Sequence, residues 1–285
     1  MLRALPIVLF AATLAVGVAW VAGSGGARVG GVPVLAVCAA VALGVQGVAF
    51  VPAALLRTER FYDLTGASTY LAVTALAFAS GDGGARSVVT AGLVAVWAAR
   101  LGGYLAWRGA KHGDRRFEQI KHQPGRFLVA WTLQGLWVVL TALAALVVLV
   151  TPDQPTQLLP TDVLGVAIFG VGFAVEVVAD AQKTAFRADP ANAGRFIRTG
   201  LWAWSRHPNY AGEIVLWVGV LILAAGVLQG AGWLAVLSPV FVTLLLTRVS
   251  GIPLLEALAD ERWGKDADYQ GWKARTPVLF PFFPR

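Results

Sequence analysis

The chain has 285 residues, of which 57% are hydrophobic and only 14% charged, with 23 Lys+Arg against 16 Asp+Glu and a formal net charge of +7. A water-soluble domain carries about 25% charged residues, so this composition, with a mean hydropathy of +0.68, excludes an ordinary soluble globule. The single cysteine, Cys38, excludes a disulfide framework and a cysteine-based metal site, and the surplus of Lys and Arg is what cytoplasmic loops facing anionic lipid carry, so it calls for no nucleic-acid partner.

In chain order, apolar stretches occupy about 4–21, 33–56, 64–80, 88–107, 127–150, 163–179, 211–228 and 232–247. Each approaches the roughly 20 residues that a helix needs to cross the hydrocarbon core. Backbone groups in lipid must satisfy one another, and nowhere is the alternation over about ten residues sustained that a barrel strand needs, so every stretch is predicted to be a helix. The first, which follows Arg3, has the look of a secretory leader. The next apolar run follows at once, so the first is read as an uncleaved span. The expected fold class is all-α, a polytopic helical membrane bundle of about seven to eight transmembrane helices. Residues 1–285 are read as a single integral membrane domain, with 1–56 as peripheral N-terminal helices and 57–285 as the core, which ends in an amphipathic tail.

Loop charges orient the spans. Residues 108–126 carry Arg108, Lys111, Arg115, Arg116, Lys121 and Arg126, and residues 180–210 carry Lys183, Arg187, Arg195, Arg198 and Arg206, so both loops are expected in the cytoplasm. The loop 151–162 has Asp153 and Asp162 without Lys or Arg, which puts it on the far side, and alternation then places both termini in the cytoplasm. A composition rich in Ala, Val, Gly and Arg fits a bacterial inner membrane. The glycine patches 23–26 and 81–84 fall in far-side loops and read as turns; no dinucleotide glycine fingerprint occurs, nor any strand pattern to hold one.

Ionisable residues within apolar helices are costly, and here they cluster. Glu176, Asp180, Lys183 and Arg187 follow at spacings of four, three and four, along one face of a helix that leaves the membrane. A solvated helix end accounts for Lys183 and Arg187, but a polar cavity is needed to account for Glu176. Downstream, Ser205-Arg206-His207-Pro208-Asn209-Tyr210 leads into an apolar run, with Pro208 suited to a helix start and Asn209, Glu213 and Trp217 on one face. Free amides, the positive end of the helix dipole, a guanidinium and an imidazole at that start make a receptacle for phosphate. On the fourth span, Trp97, Arg100, Tyr104 and Arg108 form a thinner polar and aromatic stripe that either lines the same cavity or lets Arg100 pair with Asp63 or Glu176. His112 and His122 have no neighbours at metal-ligand spacing, so no metal is expected. Trp272, Phe280, Phe282, Phe283 and Lys273 suit a tail lying at the membrane surface.

The run Gly200-Leu201-Trp202, then Ser205-Arg206-His207-Pro208-Asn209-Tyr210 and Gly212-Glu213, resembles the signature of bacterial membrane proteins of the steroid 5α-reductase superfamily. Glu176, Asp180 and Gln182 upstream, and Ser250-Gly251-Ile252-Pro253-Leu254-Leu255-Glu256 and Tyr269 downstream, extend the resemblance over roughly 63–281. It implies NADPH held at the cytoplasmic ends of the last helices and a hydrophobic, lipid-like enone entering from the bilayer. Carried over by position, Glu176 and Asp180 would contact the nucleotide, Arg187 and Arg195 its phosphates, and Asn209 and Glu213 the nicotinamide region. Arg206, His207, Tyr210 and Arg248 would complete the pocket, with Arg108 and Arg115 reaching from the other loop. Asp63, with Tyr104 or alternatively Tyr62, would polarise the substrate carbonyl; Trp97 stands where steroid-reducing members have a tyrosine. An Arg-His-Pro-x-Tyr element also occurs in isoprenylcysteine and phospholipid methyltransferases, which use S-adenosylmethionine, whereas a transporter or assembly factor would line a path across the whole bilayer.

Overall fold

The computed structural model describes residues 4–112 and 117–280 and is helical almost throughout. Ten α-helices are present among the described residues: α1 (Leu5–Ala22), α2 (Val34–Leu56), α3 (Tyr62–Ala79), α4 (Ala85–His112), α5 (Pro124–Val150), α6 (Pro160–Ala188), α7 (Pro208–Ala225), α8 (Leu237–Leu244), α9 (Ile252–Trp263) and α10 (Ala267–Arg275). Seven segments are long and apolar enough to cross a membrane: α1, α2, most of α4, α5, α6, α7 and the stretch Gly230–Trp263. The protein is an all-α, polytopic integral membrane protein. The expected span at 64–80 is the helix α3, but Asp63, Thr65, Ser68, Thr69 and Thr74 make it more polar than those seven.

The chain divides into two compact units. The first comprises Met1–Val163 and Leu221–Ser238. Its centre is α5, whose residues from Val138 to Val150 are all buried. Against it α1 turns Ala11, Ala15, Ala19 and Ala22, small residues at spacings of four, four and three, which is how membrane helices pack closely when lipid is as apolar as the partner helix. Near the start of α5, Phe127 and Trp131 are fully buried and stack edgewise at 6.0 Å, with Phe50, Phe61, Tyr62 and Phe117 around them.

Two features of this unit go beyond the sequence reading. Between α1 and α2 the chain forms a hairpin of two-residue strands, β1 (Arg28–Val29) and β2 (Val32–Pro33). Its turn residues Gly30 and Gly31 have φ of +57° and +83°, the double left-handed conformation of a tight hairpin; strands this short leave no periodic pattern to detect. Arg86, in the first turn of α4, pairs with Asp162 at 2.8 and 2.7 Å, and the two side chains are each 2% exposed. Gln154, Pro155 and Gln157 supply further acceptors to the guanidinium, and Asp162 also accepts Leu159 N–H at 2.6 Å, so the start of α6 is capped and tied to α4.

The second unit comprises Leu164–Val220 and Pro239–Arg285. The eighth expected span, 232–247, is not one regular helix: a 3-10 stretch, Gly230–Val236, precedes α8, and a π turn, Leu245–Val249, follows it. Thr243 and Thr247 hydroxyls donate to the carbonyls of Pro239 and Thr243, a back-bonding that competes with regular helix geometry. After Gly251 come α9 and α10, the latter started by Asp266, which caps the amides of Asp268 and Tyr269.

Candidate functional site

Glycines determine where the polar residues of the second unit stand. Helices α6 and α7 run antiparallel in a close register, with Phe169 opposite Gly219, Gly172 opposite Leu216, Glu176 opposite Gly212 and Asp180 opposite Asn209. A Cβ added at Gly212 would lie 2.6 Å from Gly172 O and 2.7 Å from Glu176 N, one at Gly172 2.5 Å from Leu216 N, and one at Gly219 2.5 Å from Phe169 N. Only glycine lets the two backbones approach so closely. The pairs Glu176 and Asp180 on α6, and Asn209 and Glu213 on α7, are thereby pressed into one seam. Glu176, Asp180 and Glu213 are 2%, 5% and 8% exposed, and Asn209 Nδ2 donates to Asp180 Oδ1 at 3.2 Å. The Asn209 amide oxygen remains an acceptor.

The segment ahead of Pro208 is fastened to the end of α6. Gln182 Oε1 accepts Leu201 N–H at 2.9 Å, and Gly200 lies so near that a Cβ would be 2.5 Å from that oxygen. Trp202 is buried, donates Nε1–H to Ala179 O at 3.1 Å, and carries the Lys183 ammonium 4.4 Å from its ring centre. Trp272 Nε1 donates to Trp202 O at 3.2 Å, which brings α10 onto the same segment.

At the start of α7, the tail of the chain and one carboxylate occupy much of the expected receptacle. Arg206 and His207 donate their backbone N–H groups to Pro277 O at 2.9 Å and Val278 O at 3.1 Å. Glu256 on α9 takes the side chains: Arg206 Nη1 at 2.6 Å, His207 Nε2 at 2.8 Å and Lys273 Nζ at 3.2 Å. Lys273 also reaches Asp260 at 2.5 Å, and Tyr269 donates its hydroxyl to Asp260 at 3.1 Å. Burial holds the His207 imidazole below its ordinary 6.5, although the hydrogen bond to Glu256 pulls the other way, so the ring is neutral near pH 7. Its Nε2 then carries the proton that faces Glu256. His207 Nδ1 and Arg206 Nε are both buried without a partner among the described residues. Burial first, and the Asp260 carboxylate second, push the Tyr269 phenol up and keep it a donor.

The remaining expected residues are dispersed. Tyr210 is half-buried and stacks on His207 with ring centres 5.8 Å apart. Arg187, Arg195 and Arg248 are exposed in the second unit. Arg108 belongs to the first unit, where it and Arg100 place their guanidiniums 5.7 and 5.3 Å from the ring centre of Tyr104. Arg115 lies outside the described residues. Asp63, at the start of α3, lines a cleft of about 30 Å³ in the first unit together with Tyr70, Trp97, Gly102, Gln134 and Trp137.

Sequence reasoning missed the glycine seam and the role of Glu256. The first had a signal: Gly165 and Gly172 on one helix, and Gly212 and Gly219 on the next, are each seven residues apart. Glu256 stands in the 250–256 motif, but nothing local to it marks it as the partner of Arg206 and His207, about 50 positions earlier.

The domain family described as "Protein of unknown function (DUF1295)" matches residues 49–276. Among curated proteins, the "Probable O-methyltransferase ustE" of Ustilaginoidea virens is 37% identical over 62 residues, 22% of this chain and 22% of that protein, so the similarity spans about a fifth of that relative's length. No solved structure matches the chain.

Proposed function

The chain belongs to the DUF1295 family, and we propose that it is an NADPH-dependent membrane reductase acting on the C=C bond of a lipid-like enone, whether steroid, isoprenoid or acyl. The observation that carries this reading is the Asp180–Asn209 hydrogen bond at 3.2 Å within a buried seam that also holds Glu176 and Glu213. The family's association with steroid 5α-reductase-like proteins supports it.

The donors present suit a dinucleotide phosphate. Arg206 Nε is a buried donor without an acceptor among the described residues, and Arg187, Arg195 and Arg248 are exposed guanidiniums, which pair well with phosphate oxygens. Asn209 and Glu213 hold the nicotinamide end through the amide oxygen and the carboxylate, while Asp180, which accepts from the Asn209 amide, contacts the nucleotide together with Glu176. When bound, NADPH supplies a hydride to the β-carbon of the enone. Asp63, with Tyr104, hydrogen-bonds the substrate carbonyl and stabilises the negative charge that grows on its oxygen; a protonated acid or phenol there then gives up its proton to the product. The pocket for the nucleotide faces the cytoplasm of a bacterial inner membrane, with both termini on that side, because the basic loops are there.

A second reading, an S-adenosylmethionine-dependent methyltransferase, is favoured by the fungal relative's printed name. S-adenosylmethionine has no phosphate for the exposed Arg187, Arg195 and Arg248 to bind. Thermal unfolding of the purified, detergent-solubilised protein separates the two. A ligand at 100 times its Kd stabilises by about 2.7 kcal/mol, so NADPH is expected to raise the midpoint and S-adenosylmethionine is not. Glu213→Ala and Arg206→Ala should each abolish the NADPH shift. A shift with S-adenosylmethionine alone would replace this proposal with the methyltransferase.

A further inference from the structure

The eighth expected span ends in the π turn Leu245–Val249, and α9 begins at Ile252. At 1.5–2.0 Å per residue, the stretch 230–249 covers about 30–35 Å, the thickness of the hydrocarbon core, so the crossing is complete before α9 starts. The 18 residues of α7 cover about 27 Å, which places its first turn at an edge of that core as well. The two edges meet on one side. A Cβ at Gly251 would lie 2.6 Å from Leu246 O and 3.1 Å from the ring of Tyr210, in the first turn of α7, so a bare backbone is needed for the chain to bend there. Glu256 then reaches Arg206 and His207, the two residues ahead of α7. Helix α9 therefore lies level with the ends of spans. Trp204, 66% exposed, stands in the same segment, and an exposed indole is characteristic of the interfacial layer.

The helix has two unlike faces. Inward, Ile252 is buried, Glu256 and Asp260 bond to Lys273, and Trp263 Nε1 donates to Gly194 O at 2.6 Å. Outward, Leu254 and Leu258 are one turn apart and each 40% exposed, with Pro253 and Ala257 exposed beside them. Charge returns to the outward side only in the last turn, at Glu261 and Arg262. The next helix turns its rings the other way. On α10 Tyr269 is buried against Phe196, with ring centres 5.2 Å apart, and Trp272 spends its Nε1–H on Trp202 O.

We propose that the first two turns of α9 lie in the interfacial layer of the bilayer, with Leu254, Ala257 and Leu258 against the acyl chains. One helix then touches lipid with its outer face and presents Glu256 to Arg206 and His207 with its inner face. Lipid is the occupant because the apolar face continues directly from the end of a span. Two leucines and an alanine also fall far short of the roughly 800 Å² that each partner buries in a stable protein interface. The inference holds whichever coenzyme the site takes.

The test is photolabelling of the wild-type full chain in nanodiscs of a phosphatidylcholine that carries a diazirine near the glycerol end of one acyl chain. On illumination the diazirine loses nitrogen, and the carbene inserts into neighbouring C–H bonds. Digestion with trypsin and mass spectrometry then locate the adducts. The peptide 249–262 is expected to carry lipid at Leu254 and Leu258, and the peptide 266–273 of α10 to carry none. A fluorescent reporter says what covers the face: a nitrobenzoxadiazole dye on Leu258→Cys or Asp268→Cys, with the wild-type chain as the blank, since Cys38 is buried. The dye at position 258 should emit at shorter wavelength than at 268, and be quenched by a doxyl-labelled lipid and not by iodide. Absence of adducts on wild-type 249–262 overturns the proposal, even if a variant fails to fold. Iodide reaching the dye at 258 as fully as at 268 overturns it by placing the face in water. Shielding from both quenchers overturns it by placing a second copy of the chain over the face.

Discussion

Replacing Gly212 by Ala tests the seam on which the candidate site depends. The added Cβ would lie 2.6 Å from Gly172 O and 2.7 Å from Glu176 N, about 0.8 Å inside the 3.4 Å at which ordinary van der Waals contact begins. Both obstacles are backbone, so no rotamer change relieves them; α6 and α7 must separate by most of that distance. The Asp180–Asn209 hydrogen bond, now 3.2 Å, would stretch to near 4 Å and cease to be one. Overpacking of this kind costs about 1–3 kcal/mol, with about 1 kcal/mol more for the lost hydrogen bond. Gly170 is the matched control. It sits on α6, the partner helix of the seam, with nothing within 4 Å of an added Cβ, and Gly170→Ala should be neutral or stabilising by up to about 1 kcal/mol, since alanine is the better helix former. The assay is thermal unfolding in detergent, followed by the NADPH-induced shift. Gly212→Ala is expected to lower the midpoint and lose the shift while Gly170→Ala keeps both. A Gly212→Ala protein that melts and binds NADPH like the wild type would refute both the close seam and its role in holding the site.

Asp162→Ala leaves the buried Arg86 guanidinium, 2% exposed, without its counter-charge, and should destabilise by about 3–5 kcal/mol; a midpoint within about a degree of wild type would contradict the burial of the pair. For His207, whose pKa is held below 6.5 by burial, the unfolded chain takes up a proton that the folded chain refuses. Its contribution to stability is therefore whole above about pH 6.5 and is lost as pH falls. Melting curves from pH 8 to 5 should show a fall for the wild type that is shallower in His207→Gln, and parallel curves would rule out a neutral, buried imidazole. Trp202→Phe removes the Nε1–H that bonds Ala179 O at 3.1 Å and should cost about 1 kcal/mol. The same substitution should weaken the NADPH shift, because that indole also fastens the segment carrying Arg206; an unchanged shift would detach Trp202 from the site.

Much of the architecture was legible in the chain before any coordinates. Apolar runs near 20 residues dictate helices because lipid offers the backbone no other partner, and the start of α7 at Pro208 follows from the fixed φ of proline. The clusters Glu176–Arg187 and Arg206–Glu213 were legible too, since buried charge is rare enough to stand out. The eighth span was misread as one regular helix, because hydropathy does not register the threonine back-bonds that accompany its π turn.

Tertiary structure alone decided the pairings. That Asp180 meets Asn209 depends on the register of two helices set by Gly172, Gly212 and Gly219. That Glu256 closes on Arg206 and His207, and that Arg86 finds Asp162 across 76 positions, are long-range choices of charge for counter-charge. Local sequence sets what each segment must bury; which distant group satisfies it is settled only when backbones are close enough for short-range forces to discriminate.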